Sequence, residues 1–292
     1  MKIWRGNLEV RLNKSEGLAR LGRGLGGYVD RVSAFHPNAR LYLVSAVISG
    51  ASMGVFRLLF NFYVLSLGFD QALLGNLTTT SSLTALLVAL PMGYVADFLG
   101  RKKSLIAGTS FSGGAILLMV LFPSVPMFIG ANVLLGFAQS LAGVTMGPFL
   151  MENSSDKERT YLFSFSSGFQ TASAFVGNWI GGYLPTWLGS AQNVSATSTQ
   201  AYGGSLLVIA AAALTALVPL FFLRTPRLTQ DQRSFFAPIA YFRKQPALLG
   251  KLILPMLVTS IGAGLIMPFM NIFFRQVHHQ HDTVIGSMFA WV

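Results

Sequence analysis

Gly93-Tyr94-Val95-Ala96-Asp97-Phe98-Leu99-Gly100-Arg101-Lys102-Lys103 is the stretch on which the fold turns. It ends one apolar run, passes through a carboxylate and a glycine, presents three consecutive cations and opens another apolar run. The runs on either side, Leu73–Ala96 and Ser104–Phe122, each match the roughly 20 apolar residues that a helix needs to cross about 30 Å of hydrocarbon. Working outward, the same length recurs at Leu41–Ser66, Met127–Leu150, Tyr161–Leu184, Ser205–Leu223 and Leu252–Phe274, and an eighth run opens near Val284. Lipid offers the backbone no hydrogen-bond partners, so each run is expected to be helical. Seven such runs exceed what the core of one small soluble domain can bury.

Composition agrees. Of 292 residues, 52% are hydrophobic and 11% charged, where a soluble domain carries about 25% charged residues. That balance excludes a disordered chain, a fibrous repeat and a nucleic-acid-binding domain with an ordinary solvated surface. There is no cysteine, which excludes disulfides and thiolate chemistry. The net charge of +11 is explained by where the cations sit. Eight lie in residues 1–40, three follow Gly100, Lys157 and Arg159 lie between the fourth and fifth runs, and six lie from Arg224 to Lys251. That places 19 of 21 Lys and Arg on one side of a membrane, expected to be the cytosol. The partner implied is a lipid bilayer, not nucleic acid. The expected location is the plasma membrane, multi-pass, with a cytoplasmic N-terminus. Residues 1–40 lack the apolar core of a secretory signal and read as a basic arm, with Trp4, Leu8 and Leu12 giving it an amphipathic cast.

The chain divides into the arm (1–40), a six-helix bundle (41–223), a linker (224–250) with an amphipathic stretch at Phe235–Lys244, and the start of a second bundle (251–292). A shift of 210 residues lays Gly54 on Gly264 and Asn61 on Asn271; one inserted residue later, Gly75 falls on Gly286. These matches suit a parallel repeat of six-helix units about an axis along the membrane normal.

The stretch from Gly93 to Lys103 resembles the loop signature of the major facilitator superfamily, glycine-x-x-x-aspartate-basic-x-glycine-arginine-basic, at the place where that family carries it. Phe98 departs from it, standing where a basic residue is usual. The fold expected is all-α: a polytopic bundle of major-facilitator type, with a complete first six-helix half and the start of the second. Physically, Gly93 is expected to let a neighbouring helix approach, Asp97 to pair with Arg101 or a helix terminus, and Gly100 to allow a tight turn. The resemblance implies that Gly93, Asp97, Gly100, Arg101 and Lys102 form a gating motif, in which the aspartate contacts a helix of the second half and favours the outward-facing state. Glu152 and Arg159, in a loop similar to one that joins this cluster in the family, are expected to belong to it; the alternative is that they are solvated loop charges. Two exporter signatures are blurred: Asn132 and Gly136 stand at an arginine–glycine spacing, and Gly177-Asn178-x-x-Gly181-Gly182 has asparagine for proline.

Polar groups within the runs are candidate solute contacts. Arg57 is the one charge inside a run, with Met53 and Asn61 four residues to either side on one helical face. It either pairs with an anionic solute or snorkels as a structural cation. Gln139 and Gln170 lie near the midpoints of the fourth and fifth runs, and Asn271 is the repeat mate of Asn61. Each is either a solute contact or interhelical glue. The hydroxyls from Thr78 to Ser82 are expected to bond to their own helix. His278, His279, His281 and Asp282 read as a solvated turn in preference to a metal or proton sensor. No phosphate-cradling loop, zinc-protease histidine pair or nucleophile elbow is present, so neither an enzyme nor an ATP-driven pump is expected, and no cofactor or metal. The expected function is secondary active transport of a small solute by alternating access, as efflux, with a coupling proton implied by the family. The rivals are an uptake permease for an anionic solute and a truncated fragment without transport activity.

Overall fold

The computed structural model describes Val32, residues 35–224 and residues 246–291. The amphipathic stretches proposed for the arm and for the linker at Phe235–Lys244 lie outside the described residues. What is described is helical: α1 (Pro37–Ser66), α2 (Gln71–Leu99), α3 (Arg101–Leu121), α4 (Val125–Glu152), α5 (Asp156–Gln192), α6 (Thr199–Thr215), its short continuation α7 (Leu217–Phe221), α8 (Pro246–Ile266), α9 (Met270–Gln276) and α10 (Asp282–Ala290). A single 3-10 turn, Met267–Phe269, joins α8 to α9.

The boundaries follow local chemistry. His36 and Pro37 open α1, because proline's missing N–H costs nothing in a first helical turn. The Asp70 carboxylate accepts from the Leu73 N–H at 2.8 Å and caps α2. Gly100, at φ +85°, ends α2 and starts α3 in one residue, a conformation that penalises any Cβ. Ser198 caps α6 by accepting from Ala201.

Six segments are both long and apolar enough to cross a membrane: α1, α2, α3, α4, α6 with α7, and Ile253–Gln276. The fifth of the seven expected runs is helical over its whole length, within α5, and is more polar than the others, because Ser164, Ser166, Ser167, Gln170, Thr171, Ser173 and Asn178 interrupt it. One correction is at Leu252–Phe274, which is not one helix but is broken at Pro268. Another is the Thr186–Gly203 connection, which shrinks to Asn193–Ser198 because α5 runs on to Gln192.

α1 packs most extensively on α5 and α6, α4 packs on α2 and α3, and α3 also packs on α6. Two apolar clusters result. One gathers around Phe128, whose ring lies 5.8–6.5 Å from those of Phe60, Tyr63 and Phe69. The other, at the end carrying Arg101–Lys103 (the basic end), holds Phe35, Tyr42, Leu105, Phe149 and Leu162. Leu83, Leu86, Leu87 and Leu90 of α2 are exposed. α10 packs along α5, and α9 touches α1. In α8 every described side chain is exposed.

Candidate functional site

At the basic end, Arg101 is the hub of a cluster within α1–α7. Its Nη1 lies 2.6 Å from the Asp97 carboxylate, one helical turn back across Gly100, and its Nε donates to Glu152 Oε1 at 3.0 Å. The guanidinium thus ties the end of α2 and the start of α3 to the end of α4. Lys102 takes another partner. Its Nζ donates to the carbonyls of Phe221 and Leu223 at 2.7 and 2.8 Å, and so caps the C-terminal end of α7 with a cation. Asn38 completes this end: its Nδ2 donates to Asn153 Oδ1 and to the Arg224 carbonyl, while its Oδ1 accepts the Arg224 N–H.

Two expectations for this cluster need correction. Arg159 does not join it; its Nη2 pairs with Asp156 at 3.0 Å, three residues back on the same helix, because a local partner costs less chain ordering than a distant one. Gly93 receives no close neighbour among the described residues, and a Cβ there would meet open space. The close approaches are elsewhere. A Cβ on Gly136 would fall 2.6 Å from the Ser81 carbonyl of α2, and one on Gly177 would collide with the Ala51 backbone of α1. One on Gly182 would lie 2.8 Å from the Asp282 carbonyl of α10.

The polar residues within the spans divide into two sets. Arg57, Gln139 and Gln170 are exposed and make no hydrogen bond or ion pair among the described residues. Asn61 and Asn271 are buried and bond to each other: Asn61 Nδ2 donates to Asn271 Oδ1 at 2.9 Å. The face shared by Met53, Arg57 and Asn61 therefore changes along its length, open at Arg57 and covered by α9 at Asn61. Asn132 bonds to the Phe128 carbonyl, and Thr78, Thr80 and Ser81 bond to carbonyls of their own helix.

At the end opposite the cations, the far end, the structure departs most from expectation. Asp282 is not solvated. It is buried, its Oδ1 lies 2.9 Å from Arg275 Nη1, and Tyr202 Oη donates to its Oδ2 at 2.7 Å. Burial pushes the Asp282 carboxyl above its ordinary range, and the Arg275 charge pulls it back. Arg275 also donates to Tyr202 Oη, and its guanidinium lies 4.4 Å from the centre of the Phe62 ring. A cavity of about 510 Å³ opens beside the pair, lined by Thr186, Thr197, His279 and Gln280 among others. His278 packs against the Phe273 ring, and no three His, Asp or Glu residues come together to hold a metal among the described residues. Arg275 and Asp282 could have been noticed in the sequence as the one far-side cation and a nearby acid; Tyr202, 80 residues away, could not.

The 210-residue shift has a counterpart in space. The far-end turns correspond as well, with Gly68 at φ +86° and, 211 residues on, His279 at φ +51°. Among solved structures, a bacterial homolog of the human lysosomal transporter Spinster, in an inward-facing and unoccupied conformation, has a similar fold. It is 15% identical with a TM-score of 0.66, over 86% of this chain. This chain spans 57% of that protein's length. No curated protein matches. The family model described as Major Facilitator Superfamily matches residues 42–292. The glycine-hinged cation cluster between α2 and α3, the helical bundle and the mated asparagines thus have one common source: the chain belongs to the major facilitator superfamily.

Proposed function

We propose that this protein carries out secondary active transport of a small solute by alternating access, with its basic end in the cytosol and the plasma membrane as its location. The family and the positive-inside distribution of cations support that reading. The observation that carries it is the pattern of contacts between the two groups of helices, α1–α7 and α8–α10. Every hydrogen bond between them among the described residues lies in the far half of the bundle. Two groups held at one end and joined by a linker at the other are the arrangement that rocking requires.

Efflux is the direction proposed, because Gly177, Gly181 and Gly182 keep the exporter glycines and all three are in tight helix contacts. A transmembrane proton gradient is the proposed energy source. Arg57, Gln139 and Gln170 are the proposed solute contacts, since they lie exposed on three helices with their hydrogen-bonding capacity unused among the described residues. Asn61 and Asn271, committed to each other, are less available. The exposed Arg57 also supports a second reading, uptake of an anionic solute.

The test is a solute panel in right-side-out and inverted vesicles carrying the intact gene product. Expected is accumulation in inverted vesicles that collapses with an uncoupler and is lost in Arg57→Ala. Flux equal to that of empty vesicles across the panel refutes transport; accumulation only in right-side-out vesicles selects uptake. Because the chain has no cysteine, Ser155→Cys and Ser195→Cys each carry a single thiol. Labelling of position 155 from the cytosol and of 195 from outside is expected, and the reverse overturns the orientation.

A further inference from the structure

We propose that the far end is a gate latch with two buried points, beside the Gln71–Gln276 and Asn178–Phe289 bonds: a reciprocal clasp of Asn61 with Asn271, and the seating of the Arg275–Asp282 pair on Tyr202 and Phe62. The inference rests on the transport reading and adds to it the residues that hold this end shut.

The clasp has the form that a two-fold axis demands. Asn61 Nδ2 donates to the Pro268 carbonyl at 2.8 Å, and Asn271 Nδ2 donates to the Leu58 carbonyl at 2.9 Å. Residues 58 and 268 are separated by the same 210 positions as residues 61 and 271. One contact is therefore made twice with the roles exchanged, and the pseudo-symmetry axis runs between the two amides. The break at Met267–Phe269 makes this work. The Ile272 N–H is held by Asn271 Oδ1, and the Pro268 carbonyl, at the break, is left to receive Asn61. Both asparagines are more than nine-tenths buried, so parting the groups breaks the two backbone contacts and the amide–amide bond together.

The second point is built so that it can open. Arg275 and Asp282 both belong to the second group, whereas Tyr202 and Phe62 both belong to the first. When the far ends part, the ion pair leaves as a pair, and no charge stays behind unpartnered in the first group. What is given up is the Tyr202 hydroxyl, which accepts from Arg275 and donates to Asp282, and the cation–ring contact with Phe62. A charge shared between the groups would resist separation far more strongly; a neutral phenol holding a ready-made pair releases it.

The test reads the far end directly, without a solute. Spin labels on Ser195→Cys and Val277→Cys in the intact protein, in nanodiscs, report the distance between the groups at that end. Expected is a dominant short distance, with a long-distance fraction that rises several-fold in Tyr202→Phe and in Asn61→Leu. Asn61→Leu combined with Asn271→Leu is expected to add little beyond either alone, because the clasp is one unit. An unchanged distribution in both Tyr202→Phe and Asn61→Leu overturns the latch, and a change in only one overturns its two-point form. Tyr202→Phe keeps the ring and is the deciding variant if Asn61→Leu fails to run as a monodisperse peak. A negative flux assay with the expected distance shifts counts against transport alone; flux without those shifts counts against the latch alone.

Discussion

The two ends of this bundle are held by different means. At the basic end every described bond is internal to α1–α7: Arg101 to Asp97 and Glu152, Lys102 to the end of α7, and Asn38 to Arg224. At the far end the bonds cross between the groups, through Asn61, Gln71, Asn178 and Tyr202 on one side and α9 and α10 on the other. The chemistry differs in kind as well. The ion pairs of the basic end have partly exposed carboxylates, which water screens, and the ion pair of the far end has a buried one. One end is built to stay together as a unit and the other to be a contact between units.

Substitutions can break that contrast or sharpen it. The largest effect is expected from Gly182→Leu, whose added carbons must displace the α10 backbone at Asp282 and Gly286. A cost of about 3 kcal/mol is expected, read as a lower unfolding temperature in detergent together with a lengthened far-end distance. Arg101→Ala leaves Asp97 and Glu152 without their cation, and because both carboxylates are partly solvated the loss is about 1 kcal/mol. It should lower the unfolding temperature without moving the far-end distance; a moved distance would show the two ends to be coupled. Lys102→Met removes the cation from the α7 carbonyls, for about 0.5 kcal/mol, and should speed hydrogen exchange at the end of α7 alone. Arg159→Ala, which loses a pair with an almost fully exposed aspartate, is expected to leave thermal stability unchanged within error.

What sequence reasoning can reach follows from the physics of each feature. Helix positions are legible because lipid penalises any unpaired backbone, and the turn at Gly100 is legible because few residues tolerate its φ. The mating of Asn61 with Asn271 is visible as a repeat, though not as a hydrogen bond. Burial is not legible. α1 and the segment Ile253–Gln276 have nearly equal hydropathy, yet half of the apolar window of α1 is buried and none of that of the later segment is. Hydropathy measures transfer from water, and a leucine against lipid reads the same as a leucine against leucine. Arg159 goes to the wrong partner when the family analogy outweighs an aspartate three residues away. Asp282 reads as solvated because the residue that buries it comes from another helix, 80 positions back.

The glycines of α5 have a mechanical consequence. Gly177 brings its backbone against Ala51, and Gly182 brings it against Gly286 along another flank. Smooth flanks have no teeth to disengage. A neighbouring rod can therefore lie at backbone distance on either flank of α5, α1 on one and α10 on the other, which makes this helix a place where the two groups of helices meet backbone to backbone.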